Sequence, residues 1–215
     1  MAKSGGHGRA GASMDPRGVA TRAALVDAAI EALRDVGFAG ASAREIARRA
    51  GCQQSQVFYH FGSVSGLALA ALDVVSARRL AAYERLVEEA TDATDLLDAA
   101  AEVVRTDLAS GDVTVLVELL AGARFVPGMA EEVTARLQPW QAFAERAVAK
   151  ALPDGPLARI APVSDLAHAV VAGILGLELL AHTSGDRDTP VRVLDQAAGG
   201  IALLDLLTRP RRAPS

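Results

Sequence analysis

Residues 42 to 61 (SAREIARRAGCQQSQVFYHF) form two short segments, each apolar on one side and polar on the other at helical spacing, joined at Ala50-Gly51-Cys52. Ser42 opens the first. Its hydroxyl can cap the helix while Glu45, three residues on, reaches back to the Ser42 amide, which is the capping-box arrangement. Ala43, Ile46, Ala47 and Ala50 then face inward, Arg44, Arg48 and Arg49 face outward, and Gly51 makes the turn. In the second segment, from about Gln53 to His60, an advance of about 100° per residue puts Val57, Phe58 and Phe61 on one side. Gln53, Ser55, Gln56, Tyr59 and His60 share the other, and Gln54 lies angularly near the apolar side at the helix start. The layout is a helix-turn-helix.

The flanking sequence is helical throughout. Hydrophobic residues make up 51% of the 215, yet only 4% are aromatic, and alanine, which loses least on entering a helix, carries much of the remainder. A first helix is expected from Thr21 to Val36, with Leu25, Ala28, Ala29, Ala32, Leu33 and Val36 as one stripe. Gly37 stands where a left-handed cap is wanted and Phe38 can fold back onto the helix end. Ser63 caps a long fourth helix reaching Ala90, with Leu67, Ala70, Ala71, Val74, Ala77 and Ala81 toward the core, which leaves the small domain and links it to the rest. Helical patterns continue over Ala93 to Leu108, Val113 to Arg124 and Gly128 to Leu152, each break marked by Gly or Pro. Two more close the chain, Val163 to His182 and Thr189 to Leu207, the latter capped by Thr189 with Pro190 at the first helical position. The expected fold is all-α. A Gly- and Ser-rich basic arm, disordered in isolation, covers 1–18, a three-helix helix-turn-helix domain 19–64, a helical domain 65–208 and a basic tail 209–215.

The segment Val163 to His182 is apolar on nearly every face, so it must be surrounded by protein, and one chain offers too little cover. Ala169, Ala172, Gly173 and Gly176, with Ala197, Ala198, Gly199 and Gly200 in its neighbour, would let helices approach closely. A homodimer sealed by a four-helix bundle of Val163–His182 and Thr189–Leu207 follows. Its uncharged core, Leu166 to Leu177, is shorter than the roughly 20 residues a membrane helix needs, so no membrane partner is expected.

The net charge of −4 conceals an asymmetry: residues 1–64 hold eight Lys+Arg against five Asp+Glu, and 65–215 hold fourteen against twenty-one. A basic domain on an acidic remainder is the footprint of a polyanion partner, here double-stranded DNA. One cysteine, Cys52, excludes an internal disulfide and fits a reducing cytoplasm, where the protein would sit on the nucleoid. The four histidines (7, 60, 168, 182) and Cys52 form no nucleophile-base pair and no metal spacing, so neither cofactor nor metal is expected. That argues against an all-helical enzyme with a vestigial DNA-binding end.

With these residues assembled, the N-terminal third resembles the TetR (tetracycline-repressor) family of bacterial one-component regulators. LVDAAIEALRDVGFAGASAREIARRAGC, then QVFYHFGS, then Leu67 match that family's DNA-binding signature without a gap. The resemblance implies a dimer that binds an operator, usually as a repressor, and releases it when a small molecule enters the C-terminal domain; an activator or a protein-responsive regulator of the same fold is the alternative. It also implies that Arg44 reaches DNA from the second helix and that Tyr59 and His60 meet the backbone. Gln53, Gln54, Gln56 and His60 are the candidate base readers, since glutamine can pair bidentately with adenine, and Ser55 shares their face. Three residues depart from the family pattern: Phe58 replaces a tyrosine, Val64 a lysine, and Gln53 the usual Ser or Thr cap. Arg17, Arg22, Arg48 and Arg49 are candidates to compensate. For the effector site the resemblance points to the fourth to eighth helices, with Phe125, Met129, Trp140 and Phe143 as apolar walls and Glu118, His168 and Glu178 as scarce polar groups. Core packing accounts for the first four equally well, and an arginine partner accounts equally for Glu118 and Glu178.

Overall fold

A computed structural model describes residues 15–151 and 161–208. Ten helices and no strand occur among them: α1 (Pro16–Gly40), α2 (Ala43–Arg49), α3 (Ser55–Phe61), α4 (Val64–Glu89), α5 (Ala93–Ser110), α6 (Asp112–Ala123), α7 (Met129–Arg136), α8 (Gln138–Ala151), α9 (Val163–Ser184) and α10 (Asp188–Thr208). The remainder of the expected N-terminal arm and the tail 209–215 lie outside the described residues.

α1 begins five residues before the expected Thr21. Pro16 supplies a preset φ at the first position and the Asp15 carboxylate accepts the Arg17 N–H at 3.3 Å, so residues 16–18 belong to the helix and not to the arm. Its regular turns end at Val36, because Gly37 takes φ 69°. α2 is capped by Ser42, whose Oγ accepts the Glu45 N–H at 3.2 Å. Only half of the capping box forms: the Ser42 N–H donates to the Gly40 carbonyl, and the Glu45 carboxylate turns to two arginines instead.

Leu25, Ala29 and Leu33 of α1, Ile46 of α2, Val57 of α3 and Leu67 and Leu72 of α4 form a core that continues unbroken into Val115 and Leu119 of α6 and Met129 and Val133 of α7. The small domain is therefore fused to the larger one through α4 and α6. On α4, Leu67 and Ala71 are buried as expected, but Val74, Ala77 and Ala81 are exposed. The inner stripe is Ala68, Leu72, Val75, Arg79 and Tyr83. An alanine-rich helix offers two neighbouring stripes, and a buried arginine disguises the true one.

The expected single helix 128–152 is two. Pro139 has no N–H to give and its ring opposes the carbonyl four residues back, so α7 closes at Arg136 and α8 restarts at Gln138, with Leu137 accepting the amides of Trp140 and Gln141. α10 is capped by Asp186, not Thr189: its Oδ1 accepts the amides of Asp188 and Thr189, both at 3.0 Å.

α9 packs on α8 and α10 on α5. With 22 residues and mean hydropathy 1.6 over an 18-residue window, α9 meets the length and composition of a membrane span, so the uncharged stretch Leu166–Leu177 understates it. Little of it is buried within the chain. Ala169, Val170, Ala172, Gly173, Leu179 and Leu180 are exposed on α9, as are Val193, Ala197, Gly199 and Gly200 on α10. Side chains from 201 onward lie outside the described residues.

Candidate DNA-binding surface and ligand cavity

Of α3, only Val57 is fully buried, and it holds the helix against α1 and α4. Phe61 is half-buried on the same core, with the Arg22 guanidinium 4.9 Å from its ring centroid. Phe58 corrects the expected inner face: it is 48% exposed, so its ring joins the outer surface. α3 starts two residues late, at Ser55, and no side chain caps it, in keeping with Gln53 and Gln54 at its entrance.

Arg44, Gln53, Gln54, Ser55 and Tyr59 are all exposed, Tyr59 at 80%, while Gln56 and His60 are half-buried. Ser55 and Tyr59 stand one turn apart, on one face of α3. Tyr59 meets the His60 ring edge-on, 4.9 Å between centroids, and His60 lies beside Gly18 of α1. Arg48 and Arg49 are committed elsewhere. Arg48 grips both oxygens of Glu45, and Arg49 bridges Glu45 at 2.8 Å and Asp35 at 2.5 Å, tying α2 to α1. Hydrogen bonds first from Arg48 and then from Arg49 hold the Glu45 carboxyl down to about 2. Among the described residues Arg17, Arg22 and Arg44 enter no ion pair, so theirs are the uncommitted charges on this domain.

A cavity of about 290 Å³ opens in the larger domain, between α4, α5, α8 and α9, with Leu116 of α6 at one wall. Trp140, Phe143 and Glu178 line it. The other four residues expected there do not. Phe125 is 80% exposed beyond the end of α6, Met129 is packed in the core shared with the helix-turn-helix, and His168 points to solvent. Glu118 turns toward α1 and accepts the Phe38 N–H at 2.8 Å. Family resemblance and residue type do not tell which helix faces converge, which is a property of the tertiary packing.

The polar wall was missed. Arg79 of α4, almost fully buried, pairs through Nε and Nη2 with Asp107 of α5 and reaches Glu178 Oε1 of α9 at 3.3 Å. Its guanidinium lies 5.0 Å from the Trp140 centroid and 5.9 Å from that of Tyr83. Burial disfavours the Arg79 charge, but the Glu178 and Asp107 carboxyls beside it more than offset that and raise its pKa. Burial likewise raises the Tyr83 phenol. Glu178 is 0% exposed; burial pushes its carboxyl up to about 8, against Arg79 and with Asp107. Its Oε2 has no hydrogen-bond partner. Sequence carries a signal for this cluster: Arg79 lies one turn from both Val75 and Tyr83, and Asp107 one turn from Val103 and Val104, so each charge occupies an apolar stripe.

Residues 25–71 match the family of bacterial regulatory proteins designated tetR. Over 104 residues, 48% of this chain, the sequence is 34% identical to an uncharacterized HTH-type transcriptional regulator of Mycobacterium tuberculosis. That match covers 53% of the relative, so the chain spans about half the length of the curated relatives it matches. Its structure is similar to a protein from Mesorhizobium loti described as a TetR-family transcriptional regulator, with TM-score 0.69 and 17% identity over 88% of this chain and 98% of the other. It is also similar to the multidrug binding protein EbrR, solved in complex with imidazole, with TM-score 0.58 and 26% identity over 81% and 93%. With this match, residues 25–71 carry the helix-turn-helix of the tetR family of bacterial regulatory proteins, and the helical architecture behind it is similar to that of solved TetR-family regulators.

Proposed function

We propose that the protein is a transcriptional regulator that binds a palindromic operator as a homodimer, represses from it, and is released when a small molecule fills the cavity. The observation that carries this reading is the division of labour on the helix-turn-helix. Val57 and the Arg49 ion pairs fix its geometry, while Arg44, Gln53, Gln54, Ser55 and Tyr59 stay exposed, with Gln56 and His60 beside them. A rigid stem with free polar ends is what reading base edges in the major groove requires.

The dimer rests on α9 and α10. Their exposed face is apolar and small, and a Cβ added at Gly173, Gly176, Gly199 or Gly200 would meet nothing within 4 Å. Such a face fits a second copy of itself, which closes in twofold symmetry and presents two recognition helices to a palindrome.

Release follows from what the cavity and the helix-turn-helix share. Arg79, Tyr83 and Val87 of α4 and Leu116 of α6 line the cavity, and both helices dock on α1. Asp112 at the start of α6 binds Arg34 of α1 and Arg78 of α4, and Glu118 holds the Phe38 amide. A ligand that favours one orientation of α4 and α6 thereby alters the spacing of the two recognition helices, by no more than its differential affinity for the two states. Likeness to a solved multidrug binding protein supports a ligand-responsive C-terminal domain. Deleting the gene tests the sign: transcription of neighbouring genes is expected to rise, and a fall would identify an activator.

A further inference from the structure

Resting on the reading that the cavity receives the effector, we propose that the part of the effector held there is an unbranched hydrocarbon chain of about ten carbons, recognised by its length through contacts with carbon alone.

The polar end of the cavity is closed on itself. Arg79 pairs through Nε and Nη2 with both oxygens of Asp107, reaches Glu178 Oε1 at 3.3 Å and Tyr83 Oη at 3.4 Å. Burial, and with it a hydrogen bond to Asp107, raises the Glu178 carboxyl and the Tyr83 phenol, so both protons are held within the cluster. One guanidinium and one carboxylate are left charged, and they face each other. All four side chains are buried, Glu178 completely, so its free Oε2 is sealed from any ligand. The remaining donor on the wall, the Trp140 N–H, is not sealed from water and needs no ligand to satisfy it. A charge or hydroxyl carried in would lose its hydration and gain no partner.

The helices set the shape. Arg79 and Trp140 stand together at the polar end, with the guanidinium 5.0 Å from the ring centroid. Val87, Ala93 and Ala151 line the other end, where the Lys150 ammonium donates to the Val87 carbonyl at 2.7 Å and ties the end of α8 to the end of α4. At about 1.5 Å per residue the lining runs about 12 Å along α4, from Arg79 to Val87, and about 16 Å along α8, from Trp140 to Ala151. A chain advancing about 1.2 Å per bond spans that length in about ten to thirteen bonds. The volume, about 290 Å³, takes about ten non-hydrogen atoms at roughly 30 Å³ each. Length and volume therefore agree on one extended chain. A compact molecule of the same volume would leave one end of the lining empty.

Trp140, the single tryptophan of the chain, lines the cavity and reports occupancy by its fluorescence. The probes are straight-chain primary alcohols from hexanol to tetradecanol, whose one hydroxyl can stay in water at the partly exposed Val87 and Ala151 end. The full-length protein is expected to bind them about fourfold more tightly for each added methylene up to about ten to twelve carbons, and no more tightly beyond. The ten-carbon diol with a hydroxyl at each end must bring one of them to the closed polar end, and should bind at least about tenfold more weakly than decanol. Ala147→Leu places about three more carbons on the α8 wall and should move the break about three carbons earlier. An affinity that climbs unbroken to tetradecanol, a diol that binds as tightly as decanol, or an unmoved break in folded Ala147→Leu would overturn the inference while leaving the cavity as a ligand site. If no alcohol changes the Trp140 signal or gives heat in calorimetry, the cavity reading fails and this inference with it.

Discussion

Glu118 of α6 accepts the backbone N–H of Phe38 at 2.8 Å, at the point where Gly37 turns left-handed and a Cβ would come within 2.7 Å of the carboxylate. A residue of the larger domain thus completes the helix end of the smaller one. The Phe38 ring lies so close to α6 that a Cβ on Gly122 would fall 2.3 Å from it. Glu118→Ala leaves a part-buried amide unpaired and is expected to cost about 1–3 kcal/mol in a denaturant titration. Glu118→Gln keeps an acceptor and should cost less. Gly37→Ala should be at least as damaging as Glu118→Ala, because it combines a positive φ with the clash. Wild-type stability in Glu118→Ala would remove this contact from the link between the domains.

Glu178 should make stability depend on pH. Its folded value, about 8, lies above the unfolded 4.5, so its contribution is complete below about pH 4.5 and is lost as the pH rises toward 8. The slope is at most about 1.4 kcal/mol per pH unit. Glu178→Gln removes the titrating group, so thermal melts of that variant should show a flatter profile between those limits. Identical profiles would mean that the carboxyl is already ionised when the protein is folded.

Gly173 isolates the proposed dimer face. Nothing within its own chain opposes a side chain there, so Gly173→Arg should leave helicity unchanged. Against a second copy the same change is a clash and a buried charge, and sedimentation should then show monomers. A variant that remains dimeric would place the interface elsewhere.

Legibility followed sequence distance. Ser42 and Ser63 cap the helices they open, as their type and position imply, and Gly37 takes the positive φ expected of it, although its ψ of 177° lies outside the left-handed helical region. Pro139 was equally legible as a break, yet the apolar pattern across it suggested one helix. Long-range pairing was not. Glu118 and Glu178 look alike as lone carboxylates in apolar helices, but one binds an amide in α1 and the other shares an arginine in α4. The inner stripe of α4 escaped because Arg79 sits on it, and a buried charge is apparent only once its partner, Asp107, is in place. Phe58 shows the same limit on the helix-turn-helix: its apolar type suggests an inward side chain, although a seven-residue helix has room to bury little more than Val57.

At the DNA surface, Arg44→Ala should weaken binding and lower the slope of log affinity against log salt by about one, the mark of a lost phosphate contact. Tyr59→Ala should weaken binding at unchanged fold. Glu45→Gln should act oppositely, since it releases Arg48 and loosens Arg49, and the salt slope should steepen. Unaltered slopes in Arg44→Ala and Glu45→Gln would show that α2 does not meet the backbone.

The central claim, that this helix-turn-helix reads an operator, is tested most directly by footprinting the full-length protein on DNA upstream of its own gene and its neighbours. A protected palindrome whose half-sites lie on one face of the duplex is expected, lost in Arg44→Ala and Tyr59→Ala. Uniform binding without a protected site, or protection that both variants retain, would contradict it.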